Sequence, residues 1–124
     1  MVSILDSIKQ MHGINSDDIN FDSELIMHIN GALMIMTQLG VGPVKGFSIR
    51  DNLATWEQFL EGREDLDLVF NDVYLRVRLI FDPPQNSFLV TAIERQIKEY
   101  DWRIESQHNL IEPIDNVSNS EIDE

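Results

Sequence analysis

Three histidines, the acidic pairs Asp17-Asp18 and Glu64-Asp65, and one glycine-rich stretch are residues of this chain whose types could carry chemistry. His12, His28 and His108 lie far apart, and none has a second histidine at the helical spacing of a metal site, so surface or core histidines are expected and no metal. Asp17-Asp18 and Glu64-Asp65 could do acid-base work, but each pair stands where a helix is expected to begin, and the helix dipole favours carboxylates there anyway. Gly40-Val41-Gly42 follows an expected helix, lacks a lysine-serine ending and opens no βα unit, which argues against a phosphate cradle. No Gly-x-Ser-x-Gly elbow occurs, and no cysteine is present to act as nucleophile, metal ligand or disulfide partner. The reading is therefore a protein that is not an enzyme, needs no cofactor, and acts by binding other proteins.

Composition bounds the partners. A chain of 124 residues fits one domain with a single apolar core. Its formal charge of -13, from 22 acidic and 9 basic side chains, disfavours loose attachment to nucleic acid or anionic lipid. The first residues, Met1-Val2-Ser3-Ile4-Leu5-Asp6, lack the basic region and apolar run of a signal peptide, and no later run is long enough to span a bilayer. A cytosolic protein, or one assembled from the cytosol, is expected.

The elements that must position these residues read as an all-α bundle of four to five helices with a central loop. Ile4, Leu5, Ile8 and Met11 fall at helical spacing and predict a first helix from about Val2 to Met11, closed by Gly13. Asp22 or Ser23 is expected to cap a long helix running to about Leu39, before Gly40, Gly42 and Pro43. Within it Leu25, Ile29, Leu33 and Met36 form one stripe, while Ile26, Met27, Met34 and Ile35 widen the apolar surface beyond the needs of one core. Val41 to Asn52 reads as an ordered loop or, at Phe47-Ser48-Ile49, a short strand. Thr55 and Gln58 have capping-box spacing for a short helix carrying Trp56, Phe59 and Leu60 and ending at Gly62, with Trp56 anchoring the loop. Leu66, Val69, Phe70, Val73, Val77 and Ile80 mark a helix from about Asp65 to Phe81. Pro83-Pro84 ends it, and Asn86 or Ser87 caps a last helix through Leu89, Ile93, Ile97, Tyr100 and Ile104. Residues 1–108 are thus taken as the helical domain, and 109–124, with five acidic groups and no basic one, as a flexible tail able to fold on binding.

Arg76 and Arg78 interrupt an otherwise apolar helix; they either pair with Asp72 or Asp82 four residues away or bridge to a neighbouring subunit. That helix opens the run Tyr74-Leu75-Arg76-Val77-Arg78-Leu79-Ile80-Phe81-Asp82-Pro83-Pro84-Gln85-Asn86-Ser87-Phe88. With Ala92-Ile93-Glu94-Arg95-Gln96-Ile97-Lys98-Glu99 and Trp102-Arg103, it resembles the head-tail connector (adaptor) proteins of tailed bacteriophages. Ile26-Met27-His28-Ile29-Asn30, Gln38-Leu39-Gly40-Val41-Gly42-Pro43 and Trp56-Glu57-Gln58-Phe59-Leu60 agree with that family in the same order, so the resemblance covers about residues 1–107.

The resemblance implies a virion subunit made in the host cytoplasm. Such a subunit joins roughly twelve copies into a ring between portal and tail and continues the DNA channel without sequence-specific binding. Its expected partners are the portal protein, identical subunits and a tail-completion protein, with no membrane. Trp102, Ile104, Leu110 and Ile111 are the expected portal anchors, and Met27, Met34, Ile35, Arg76 and Arg78 the expected subunit contacts. Lys45 and Arg50, the basic groups of the central loop, are expected to meet an acidic neighbour or DNA. The competing reading is a small acidic regulator that binds a DNA-binding protein by imitating nucleic-acid charge.

Overall fold

The computed structural model of the chain describes residues 2–111, with side chains as far as Gln107. Five helices follow one another: α1 (Ile4–Met11), α2 (Asp22–Gln38), α3 (Trp56–Leu60), α4 (Leu66–Phe81) and α5 (Ser87–Ile111). This is the all-α bundle that the periodicity predicts. Val2 lies just outside α1, because Ser3 is the cap and its hydroxyl accepts from the Asp6 N–H at 3.1 Å. Among the described residues no strand forms; Phe47-Ser48-Ile49 is loop, and the sole β pairing is an isolated bridge between Ser3 and Thr55.

Helix α4 is the centre of the bundle, with α2 packed along one side and α5 along another, while α1 leans on α2. Its Val69, Val73 and Val77 recur every four residues and are all fully buried. They meet Leu25, Ile29, Leu33 and Met36 of α2, Ile4, Leu5 and Ile8 of α1, and Trp56 and Phe59 of α3 in one core. The α3 capping box forms as its spacing predicts, with Thr55 and Gln58 exchanging side chain and backbone hydrogen bonds. Trp56 is buried and its indole N–H donates to Ser7 Oγ at 2.9 Å, so the loop before α3 is pinned to α1.

Two capping expectations resolve differently. Neither Asp22 nor Ser23 caps α2; Phe21 holds the cap position without a side-chain bond. Asp22 instead forms an ion pair with Lys9 at 2.8 Å, and Lys9 also donates to the Ser16 carbonyl at 3.1 Å. Lys9 is almost wholly buried, and a buried ammonium needs such partners to offset its lost hydration. At the other end Asn86 caps α5, accepting from the Phe88 N–H at 2.7 Å. Helix α5 continues to Ile111, beyond the domain boundary drawn at residue 108, and the remainder of the acidic tail lies outside the described residues. No helix among the described residues is long and apolar enough to cross a membrane.

Candidate interaction surfaces

The outer face of α2 carries the apolar surplus foreseen in its sequence. Met27 and Met34, seven residues apart and therefore on one line of the helix, are both mostly exposed, opposite the buried stripe. Ile35 is half-buried and turns into a groove of about 350 Å³ whose walls include Met27, Ile80 and Ile97. The groove runs where α2, α4 and α5 meet.

Arg76 borders the same groove, but its bonding partners are in its own chain. Its Nε donates to Asp72 Oδ1 at 2.7 Å, the pairing four residues back, and its Nη2 donates to Asp101 on α5. Asp72 has no exposed surface, and burial pushes its carboxyl up to about 8, helped by the hydrogen bond to Asp101 and opposed by Arg76. With Asp72 protonated, the trio holds one cation and one anion at the α4–α5 seam. Arg78, in the last turn of α4, forms no ion pair among the described residues. His12 sits nearby against the Tyr74 and Phe81 rings, and burial lowers its pKa, with Arg78 adding to that and Asp82 opposing it.

The anchors expected on α5 separate. Trp102 is 68% exposed, whereas Ile104 is 0% exposed and belongs to the core. Residues two apart on a helix are turned by about 200°, so the pair cannot share a face. Ile104 is corrected from surface anchor to core residue, and the Ile104 carbonyl accepts from Arg63 Nη2 at 2.7 Å. Phe88, fourteen residues before Trp102 and mostly exposed, lies on the same line of α5 as the tryptophan. Leu110 and Ile111 fall on the last turn of α5, and their side chains lie outside the described residues.

Lys45 and Arg50 are exposed on the loop between α2 and α3. That loop is held from beneath by Asn30, whose Nδ2 donates to the Ile49 carbonyl at 3.0 Å while its Oδ1 accepts from the Ile49 N–H at 2.8 Å. Phe47 packs against Phe59. Gly42 has φ +81°, and an added Cβ would come within 2.6 Å of the Phe59 ring, so only glycine fits there. Asn30 and Arg63 were missed in the sequence because their partners lie 19 and 41 residues away. Glu24 was also missed, although it stands four residues before His28 and lies 3.4 Å from its ring nitrogen. No group of three histidines and carboxylates able to hold a metal ion forms among the described residues.

The described surface thus offers an apolar α2 face, a groove, an aromatic line on α5 and a basic loop. Compared with known proteins, residues 4–109 match the family model described as phage connector protein. No curated protein and no solved structure matches the chain.

Proposed function

Because the chain belongs to the phage connector protein family, we propose that it is a structural subunit of the virion at the head-tail interface. Copies stand side by side in a ring beneath the portal protein, a tail-completion protein docks below, and the DNA channel passes through. The observation that carries this reading is the match over residues 4–109, nearly the whole of the described fold. The exposed Met27 and Met34 support it, since a flexible apolar face is a means of packing against a neighbour. The α5 line of Phe88 and Trp102, together with the residues after Ile111, is assigned to the portal.

Charge fits a passage for DNA. Lys9, Arg63 and Arg76 are each matched by carboxylates within the chain, so these pairs cancel and the acidic excess is carried by the remaining side chains. A duplex carries one negative charge per about 1.7 Å, and an acidic wall repels it and lets it slide. Screening over about 8 Å at physiological salt confines this effect to residues that line the channel.

The test is the mass and negative-stain image of the purified chain, alone and mixed with the portal protein of the same phage. A ring capping the portal is the expected result. A chain that stays monomeric and never binds portal would remove the reading.

A further inference from the structure

A projecting turn and the α2–α4–α5 groove lie to either side of the exposed Met27–Met34 line of α2, and the turn is basic where carboxylates stand beside the groove. The Gly46 N–H donates to the Pro43 carbonyl at 2.9 Å, closing a turn that leaves Val44 99% exposed with Lys45 beside it. The base of this loop is fixed by Asn30 and by the buried Val41 and Ile49, so the tip stands on a rigid mount. An apolar side chain held fully in water on such a mount gains by being covered, at little ordering cost.

The groove can cover it. Its floor includes Gly31, and nothing lies within 4 Å of where a Cβ on that glycine would stand, which leaves a notch between Met27, Ile80 and Ile97. Its lining holds His28 and Arg76, and carboxylates stand next to them: Glu24 lies 3.4 Å from His28, Asp101 pairs with Arg76, and Glu94 lies one turn before Ile97 on α5. Lys45 and Arg50 form no ion pair within the chain among the described residues. The turn and α2 residues Asn30, Met34, Thr37 and Gln38 border a second hollow next to the groove, which uses Met27, Gly31 and Ile35 a part-turn further round the helix.

The geometry points to a head-to-tail contact between copies, in which Val44 of one copy seats in the Gly31 notch of the next and Lys45 reaches Glu24 and Glu94. It rests on the connector reading and names the surfaces that the copies use. Two different patches make a heterologous contact, which generates a ring when the rotation closes, and not an isolated dimer. A local meeting of opposite charges also orients chains that otherwise repel at -13 each.

The chain has no cysteine, so introduced thiols report without background. Full-length chain carrying both Val44→Cys and Gly31→Cys is assembled on the portal protein, oxidised and run without reductant. A ladder of linked copies is expected, with dimers only when the two single variants are mixed and no links from either single variant alone. In parallel, Val44→Glu and Gly31→Phe are each expected to lower the amount of ring on the portal by roughly tenfold while circular dichroism is unchanged. Normal rings that never link, or that tolerate both substitutions, overturn this contact and leave the connector reading standing. A wild-type chain that joins neither portal nor itself overturns both.

Discussion

Asp72 is the residue whose environment departs furthest from its chemistry. Held up to about 8 by burial, it keeps its proton near neutrality, while an aspartate in the unfolded chain loses its proton near pH 4. The folded state therefore binds the extra proton between those values. Its contribution to stability is complete below the lower value and is lost as pH rises through the upper. The melting temperature of the wild-type chain is expected to fall more between about pH 6 and pH 9 than that of Asp72→Asn, whose amide can still accept from Arg76 and donate to Asp101. Parallel curves would mean that Asp72 is ionised throughout. Gly42→Ala, forced to a positive φ against Phe59, is expected to cost more than about 1 kcal/mol in denaturant unfolding. The Asp72–Arg76 pair was legible from its spacing of four. Asp101 was not, because nothing in a local pattern says which face of α5 will meet α4.

Helix α5 is held along α4 by Ile93, Ile97 and Ile104, the Arg76–Asp101 pair and the Arg63 bond to the Ile104 carbonyl. Its inner and outer faces can be probed apart. Ile104→Ala is expected to lose about 2–5 kcal/mol of stability, as for other buried large-to-small changes. Trp102→Ala is expected to leave the melting temperature within a degree or so of wild type and to weaken portal binding in a pull-down. Equal binding by the Trp102 variant would remove the aromatic line from the interface. The loop between α2 and α3 depends in the same way on Asn30. In Asn30→Ala the Ile49 amide is expected to exchange hydrogen much faster than in the wild type, with the flanking helices still protected. Helices were readable here because apolar residues at spacings of three and four declare them, and capping residues closed α1, α3 and α5. The start of α2 was misread because Asp22 looks like a cap by type, yet the buried Lys9 has the stronger claim on its carboxylate.

At the scale of the whole molecule, the all-α architecture and the family were both readable in the sequence, since each depends on ordered local segments. The ties that set how those segments pack were not. Lys9 to Asp22, Asn30 to Ile49, Arg63 to Ile104 and Trp56 to Ser7 join residues from different elements, and each uses a polar atom whose partner becomes visible only when the chain is folded. The split between the two anchors at Trp102 and Ile104 has the same origin, because residues close in sequence look equally available until a neighbouring helix selects one side. Deleting residues 112–124 is expected to keep the described fold and reduce portal binding; full binding by the shortened chain would assign the portal contact to the helices alone.

The two tryptophans occupy opposite extremes, one enclosed by the core and the other open to solvent. Their emission should therefore divide into a blue component shielded from iodide and a red component open to it. The first follows unfolding of the body, and the second should shift and escape quenching when α5 is covered. A single unlabelled sample could then be followed through folding and docking in separate spectral windows, with no dye attached.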